Sequence, residues 1–298
     1  MPYGVRTDGS TVYVPVLTYA VVRRASPPIL DLIVENGGVL TQSDIDGWAV
    51  IHYAVLHGNI GAIDWILSRA ADPVGIIGDQ SSPGLSAIHL AAASCRTAIL
   101  QRFLLAGADA SGRAQASGTT PLMKSAEAGC VEGVESLLGA GAGVSIRDVD
   151  GRTALHYAAK SGVREVVEAV LRAGAEVETQ TGEGATPLMF AARSGNPDAV
   201  RVVLNRGAAV NRSDTQGRSP LLWACMAPFP DLSLPPGVTT GVSETERQLR
   251  SQTVLLLLDA GADAAHTDRN RRSAWEYAST TSVLEGTDAF WVLSDLRF

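Results

Sequence analysis

Residues 151–174 read GRTALHYAAKSGVREVVEAVLRAG, and this stretch decides the fold. The run from Ala154 to Ala158 predicts a short helix that Gly162 ends. Apolar residues then recur at helical spacing and predict a second helix, which ends at Gly174. A pair of helices in a unit of about thirty residues cannot bury its apolar face alone, so the stretch predicts stacking against similar units.

Copies of this pattern recur along the chain. Aligned on the position of Thr153, their first motif positions are Pro15, Ala49, Ser86, Thr120, Thr153, Thr186, Ser219 and Ser273. Successive spacings are 34, 37, 34, 33, 33, 33 and 54 residues. The pattern, seen most clearly in the hexapeptides that begin at Thr153 and Thr186, resembles the ankyrin repeat, whose core motif is T-P-L-H-x-A with a period near 33. The resemblance covers roughly residues 14–281.

The resemblance implies an all-α ankyrin-repeat solenoid of about eight helix–turn–helix repeats, joined by β-hairpin finger loops. Residues 1–13 are interpreted as a polar lead-in, residues 14–281 as the repeat array, and residues 282–298 as a C-terminal capping helix. Repeats are expected to begin near residues 14, 44, 81, 115, 148, 181, 214 and 268.

Two segments depart from the repeat length. The connector at residues 71–85 is four residues too long and rich in proline and glycine, so it is predicted to be a longer finger loop. Residues 227–247 are predicted to be a Pro/Gly-rich insertion inside the seventh repeat, because prolines exclude a regular helix there. Ser243 and Glu246 resemble a capping box, which predicts a helix from residue 244 to Asp259.

Composition excludes several classes of function. The net charge of −7 gives no general electrostatic basis for binding nucleic acid or an anionic membrane surface. No run reaches the 18 apolar residues that a membrane span needs, and the first residues lack the apolar core of a signal peptide. Cys95, Cys130 and Cys225 show no spacing typical of zinc sites or of a disulfide framework, which favours a reducing compartment. An intracellular protein, cytoplasmic or nuclear, is expected.

Two sets of side chains recur at repeat spacing. His52, His89 and His156 stand once per repeat with no ligand partners nearby in sequence, so no metal or cofactor is expected; the ankyrin resemblance implies structural hydrogen bonds for them. The fifth motif position is aromatic in six of eight copies. Packing between repeats is favoured over an aromatic strip that grips a peptide. The sequence carries no catalytic motif, and no enzymatic activity is expected.

The ankyrin resemblance also indicates a binding surface, because the residues before the inter-helix glycine face the concave side together with the finger tips. The candidate partner-binding residues are Leu56, His57, Glu127, Lys160 and Arg193 on the inner helices, and Trp48, Leu85, Arg152 and Arg218 on the fingers. Trp48 is a candidate anchor, since exposed tryptophans dominate many interfaces; packing within its own loop is the alternative. Asn211 resembles the asparagine that hydroxylases modify in some ankyrin repeats.

The resemblance implies a non-catalytic protein–protein interaction module or adaptor. Its partner is expected to be another protein, bound through the concave face, and the chain is expected to be a monomer apart from that partner. Two other classes stay open at this point. One is an enzyme or small-ligand binder that uses a concave pocket and the insertion at residues 227–247. The other is an architectural module of a larger assembly.

Overall fold

The computed structural model describes residues 15–81, 84–226 and 243–296. The chain divides into two compact units, an N-terminal unit of residues 1–143 and a C-terminal unit of residues 144–298. The predicted lead-in and most of the predicted insertion lie outside the described residues. Among the helices that are described, none is long and apolar enough to cross a membrane.

The described part of the N-terminal unit consists of helices joined by turns. Its helices are α1 (Val16–Val22), α2 (Pro27–Glu35), α3 (Val50–Leu56), α4 (Ile60–Arg69), α5 (Pro73–Gly78), α6 (Ala87–Ala93), α7 (Thr97–Leu105), α8 (Pro121–Glu127) and α9 (Val131–Gly139). An inner row is formed by α1, α3, α6 and α8, each packed on the next, and an outer row by α2, α4, α7 and α9.

The C-terminal unit repeats this arrangement. Its helices are α10 (Ala154–Ser161), α11 (Arg164–Arg172), α12 (Pro187–Ser194), α13 (Pro197–Asn205), α14 (Pro220–Cys225), α15 (Glu244–Asp259), α16 (Ala274–Thr281) and α17 (Asp288–Asp295). The inner row is α10, α12, α14 and α16, and the outer row is α11, α13 and α15. Helix α17 packs against α15 and α16. Each unit is thus a two-layer stack of helix pairs, as an all-α repeat solenoid requires.

The motif histidines hold neighbouring turns together. The amide of Thr153 donates to Nδ1 of His156 over 3.1 Å, and Nε2 of His156 donates to the carbonyl of Ala185 over 3.2 Å. The equivalent Nε2 bonds join His52 to the carbonyl of Asp79 and His89 to the carbonyl of Thr119. The structural interpretation of these histidines is confirmed. Burial lowers the pKa of His156 to about 4, because the charged form would lose its hydration.

In four fingers, an Asp side chain accepts a hydrogen bond from an aromatic residue of the inner helix that follows, and the two residues are always nine apart in sequence. Oδ1 of Asp148 accepts from the amides of Asp150 and Arg152, at 2.9 and 2.8 Å, and Oδ2 accepts from the hydroxyl of Tyr157 at 2.6 Å. The corresponding pairs are Asp44 with Tyr53, Asp214 with Trp223, and Asp268 with Tyr277. Where the inner helix carries Leu90 or Phe190, which have no polar hydrogen, the finger residue is Ser81 or Thr181.

The fingers contain less β structure than the predicted β-hairpins. In the described residues they contain isolated antiparallel bridges, between Ser43 and Ala49, Gln80 and Ser86, and Thr267 and Ser273. In the fingers of Asp44 and Asp148, the Asp side chain accepts from two backbone amides and closes a tight turn. The finger with Ser81 has the same single bridge without a carboxylate.

The prediction of a finger loop over the connector at residues 71–85 is wrong in part. Residues Pro73–Gly78 form the short helix α5. Asp72 caps it by accepting the amide of Gly75 at 2.9 Å, and proline is favoured at the first helical position. Ile76 and Ile77, exposed by only 4% and 0%, supply the buried apolar contacts that hold the helix in place.

The expectation that no disulfide is present is also wrong for one pair. Cys95 and Cys130 form a disulfide, with Cα atoms 5.6 Å apart. They stand 35 residues apart, close to one repeat, so stacking brings the turn after α6 beside the turn after α8. Cys95 occupies the inter-helix glycine position and keeps the left-handed backbone, with φ of +49°. Cys225 is a free, buried thiol.

The first four residues of helix α15, residues 244–247, lie within the predicted insertion. Ser243 caps it by accepting the amide of Glu246 at 3.2 Å, as the capping pattern predicts, and residues 244–247 are therefore helical. Arg250 on this helix is buried, and its guanidinium donates to Oε1 of Glu246 and to the carbonyl of Arg193. Arg250 thus joins α15 of the outer row to the C-terminal end of α12 by a hydrogen bond.

Candidate functional site

A groove of about 730 Å³ opens on the C-terminal unit, and it is referred to here as the inner groove. The inner helices α10, α12 and α14 form its floor. The finger at residues 147–152, the finger around Glu183, and Arg218 at the base of the next finger form its walls. The site therefore lies where three successive repeats place their inner helices and their fingers side by side.

The floor is aromatic. Tyr157, Phe190 and Trp223 occupy the fifth motif position of α10, α12 and α14, and all line the groove. They are exposed by 6%, 6% and 5%. The ring centroids of Phe190 and Trp223 are 5.4 Å apart, so these side chains pack between helix pairs as the sequence predicts. The small exposed part of each ring lines the groove, so the same three side chains pack between helix pairs and contribute to the groove surface.

Two guanidinium groups flank the Trp223 ring. The Cζ atom of Arg193 lies 5.7 Å from the ring centroid, and that of Arg218 lies 5.2 Å from it. Cation–π attraction holds such groups over the ring. Arg218 also pairs with Asp214 at 2.7 Å. Burial lowers the pKa of Arg193, and the nearby charges of Arg218 and Arg250 lower it further. Positive charge is therefore concentrated at this end of the groove.

The other end of the groove carries both signs of charge. Arg152 pairs with Asp150 at 3.1 Å, and Arg147 donates a hydrogen bond to the carbonyl of Gln180. Lys160 lies on the last turn of α10. The lining of the whole groove includes five basic side chains and three acidic ones, a balance of +2, whereas the chain as a whole carries −7. The acidic side chains Asp148, Asp150 and Glu183 all belong to the fingers.

The structure brings together four of the nine candidate residues named from the sequence. Arg152, Lys160, Arg193 and Arg218 all line the inner groove. The five others belong to the N-terminal unit, and they are Trp48, Leu56, His57, Leu85 and Glu127.

Trp48 packs against the inner helix of its own repeat. It is half-buried, and its ring centroid lies 5.6 Å from that of His52 and 6.1 Å from that of Tyr53, both on α3. Its role as a binding anchor stays a prediction.

The four remaining candidates lie at separate places of the N-terminal unit. Leu85 is half-buried and its carbonyl accepts from the amide of Ser81, and Glu127 pairs with Lys124 at 3.4 Å. Leu56 and His57 are exposed, and their carbonyls accept from Arg96 and Arg24.

The sequence did not single out four charged groove residues on the fingers, which are Arg147, Asp148, Asp150 and Glu183. For Tyr157, Phe190 and Trp223 it favoured packing over an aromatic strip that contacts a peptide. A usable signal was present in the spacing of nine residues between a finger Asp and a donor-bearing aromatic residue. That spacing places Asp148 next to Tyr157 and Asp214 next to Trp223, and so predicts which finger residues lie beside the aromatic floor.

The described residues contain one group whose atoms could hold a metal ion, formed by Cys95, Cys130 and Glu132. Both sulfur atoms of this group are joined in the disulfide, so the group offers a single carboxylate and does not form a metal centre. Burial raises the pKa of the Cys225 thiol to about 12, which suits a structural residue rather than a nucleophile.

Asn211 is fixed by two hydrogen bonds to the following turn. Its Nδ2 donates to the carbonyl of Gly261 at 2.9 Å, and its Oδ1 accepts from the amide of Asp263 at 2.8 Å. The side chain thus bridges two successive turns of the C-terminal unit. Its hydroxylation stays an untested hypothesis.

Comparison with protein-family models gives a match over the middle of the chain. A family model described as ankyrin repeats (3 copies) matches residues 88–181 and residues 173–231. The matched region includes every residue that lines the inner groove.

Proposed function

Because the chain is an ankyrin repeat protein, and ankyrin repeats generally mediate protein–protein interaction, we propose that it is a non-catalytic module that binds a partner protein through its inner helices and fingers. The inner groove of the C-terminal unit is the centre of the proposed binding surface. The observation that carries this proposal is the convergence of Arg152, Lys160, Arg193 and Arg218 on one aromatic-floored groove.

Variation at a fixed repeat position supports the proposal. Leu56, Glu127, Lys160 and Arg193 occupy the same position in four of the copies, near the end of an inner helix, yet differ in charge and polarity. The third motif position of the same four copies stays buried and aliphatic, as Ile51, Leu122, Leu155 and Leu188. Packing fixes the core residues, whereas the exposed position is free to take the chemistry that a partner requires.

Of the two other classes, the enzyme or small-ligand alternative uses a concave pocket and the segment 227–247, of which residues 227–242 lie outside the described residues. The architectural alternative names no particular residues. No described feature favours either of them over partner binding.

Site-specific photocrosslinking tests the proposal. A photoreactive phenylalanine analogue is placed at Lys160 in the groove, and, in a separate variant, at Glu165 on the exposed side of α11. Each purified variant is irradiated in lysate of the native cells, and crosslinked products are identified by mass spectrometry. We expect the same partner to crosslink at position 160 in replicate preparations and to be absent at position 165. Crosslinking of the partner at position 165 alone would place binding on the outer helices and contradict the proposal.

A further inference from the structure

We infer that the inner groove binds an acidic, extended segment of the partner, with its carboxylates over the ends of α10 and α12. This inference rests on the proposed function and adds the chemistry of the bound segment. The observation that carries it is the position of Lys160 and Arg193 at the ends of two packed inner helices, whereas the three acids of the groove lie on the fingers together with Arg147, Arg152 and Arg218.

The first step is the spacing of two cations. Lys160 and Arg193 hold the same position in α10 and α12, 33 residues apart. Because α10 packs directly on α12, equivalent positions are separated by about 8–10 Å. An extended chain in the polyproline II conformation advances about 3.1 Å per residue and has three residues per turn. Carboxylates three residues apart on such a segment therefore lie on one face, about 9 Å apart, and match the two cations.

The second step is the geometry around Trp223. Arg193 and Arg218 both lie over this ring, and Arg218 is also held by Asp214. A guanidinium that is already oriented loses less conformational freedom when its planar fork binds a carboxylate.

The third step is the choice of a peptide over nucleic acid. Asp148, Asp150 and Glu183 stand on the fingers, and Arg152 pairs with Asp150 there. A nucleic acid carries a charge at every phosphate, so it would meet these acids and the overall charge of −7. A peptide can place its carboxylates at Lys160 and Arg193 alone and keep uncharged residues beside the acidic fingers.

A second basic surface on the same unit offers a matched control. Arg164, Arg172, Arg201 and Arg206 line a depression of about 200 Å³ on the outer helices α11 and α13. It lacks an aromatic floor, and Arg164 is bonded to Glu168 at 2.7 Å. A purely charge-driven attraction would use this depression as readily as the inner groove.

The test uses fluorescein-labelled peptides and fluorescence polarisation with the full chain. The probe is an extended octapeptide of Gly, Ser and Leu with Glu at every third position; its counterparts carry Gln or Lys at the same positions. We expect the Glu peptide to bind at least about tenfold more tightly than the Gln peptide, the value of one charge-assisted hydrogen bond. The Lys peptide should not bind. Binding should weaken as salt rises from about 50 to about 200 mM, because charge carries it.

Variants locate the site. Arg193→Gln and Lys160→Gln should each weaken the Glu peptide about tenfold, by the loss of one such ion pair. Arg201→Gln, the same substitution in the outer depression, should leave the dissociation constant within about twofold, since exposed charges at a distance are screened. Thermal unfolding followed by circular dichroism shows whether each variant is folded. If either groove variant is unfolded, the photoreactive residue at position 160 replaces it, and the Glu peptide must crosslink there.

Three results would overturn the inference. The first is equal binding of the Glu and Gln peptides. The second is a loss of binding in Arg201→Gln while Arg193→Gln and Lys160→Gln bind as the unmodified protein does. The third is tighter binding of a single-stranded oligothymidine than of the Glu peptide. If the Glu peptide fails while the partner still crosslinks at position 160, the inference is wrong and the proposed function stands. If the partner crosslinks only at position 165, the proposed function itself fails.

Discussion

The two units share one frame and differ in what they add to it. In the N-terminal unit, Cys95 and Cys130 join two successive turns covalently. In the C-terminal unit, Gly162 and Gly195 are equivalent to Cys95, and Val163 and Asn196 are equivalent to Cys130. The additions there are polar, with three Asp–aromatic pairs against one in the described part of the N-terminal unit and five cations around one groove. Stacking of the repeats therefore depends on the apolar positions that both units share. The chemistry of each surface depends on the positions that do not take part in packing.

The largest expected effect tests the common frame. Leu155 is 0% exposed, and Ile88, at the same motif position in the N-terminal unit, is 2% exposed. Replacing either residue by Ala leaves a cavity, so Leu155→Ala and Ile88→Ala should each lower the free energy of unfolding by about 2–5 kcal/mol. Urea denaturation followed by circular dichroism measures this. Leu105→Ala, at a position 88% exposed, is the control. A cost below about 0.5 kcal/mol at either core position would show that the frame is not shared.

The second expected effect is a dependence of stability on pH. The pKa of His156 is lowered to about 4 by burial, and burial also lowers the pKa of His52 and His89. Below about pH 6.5 the unfolded chain takes up protons that the folded chain accepts only near pH 4. Stability should therefore fall as the pH falls through this window, by on the order of 3 kcal/mol from His156 alone.

Urea denaturation at several pH values between about 4 and 7.5 measures this loss. The variant His156→Gln removes the imidazole, so it should show a shallower dependence although it is less stable at neutral pH. His57→Gln, which changes an exposed imidazole, is the control. An unchanged pH dependence in His156→Gln would mean that His156 is not held neutral by the fold.

The smallest of the three effects separates fingers with an Asp–aromatic pair from fingers without one. Asp148 accepts three hydrogen bonds, and its loss in Asp148→Ala should cost about 2 kcal/mol. In the next finger, Thr181 accepts a bond from the amide of Ala185, and Thr181→Ala should cost about 1 kcal/mol. Thermal unfolding compares the two. Tyr157→Phe isolates the aromatic bond alone. Equal costs for Asp148→Ala and Thr181→Ala would show that the pair adds nothing to the finger.

Much of the fold could be predicted because it depends on local patterns. The apolar spacing after Thr153, the glycine at 162 and the capping residue Ser243 each act within a few residues, and the helices that they predict are present. Helix α5 was missed although its signals were local. Gly75 and Gly78 indicated a loop, but Asp72, Pro73 and the buried pair Ile76–Ile77 together stabilise a short helix.

The features that could not be predicted depend on contacts between repeats. The spacing of 35 residues between Cys95 and Cys130 becomes informative only once the stacking register is known. The same holds for the placing of Arg193 and Arg218 over one ring, since they belong to α12 and to the finger before α14. Four of the nine candidate binding residues lie together because the motif fixes their register. The structure gives Trp48 a packing role that its place in a turn did not reveal.

The Asp–aromatic pair also decides where this chain can be divided into interchangeable cassettes. Asp148 precedes the motif residue Thr153, and its partner Tyr157 follows it. A cassette that begins at Ala154 would separate the two residues. The Asp carboxylate would then come from one parent protein and the Tyr hydroxyl from the other. A graft that begins at Asp148 and ends at Gln180 spans one period of 33 residues and carries both members together. Shuffling of these units, by recombination or by an engineer, is therefore expected to succeed at joints in the fingers and to fail at joints within the helix pair.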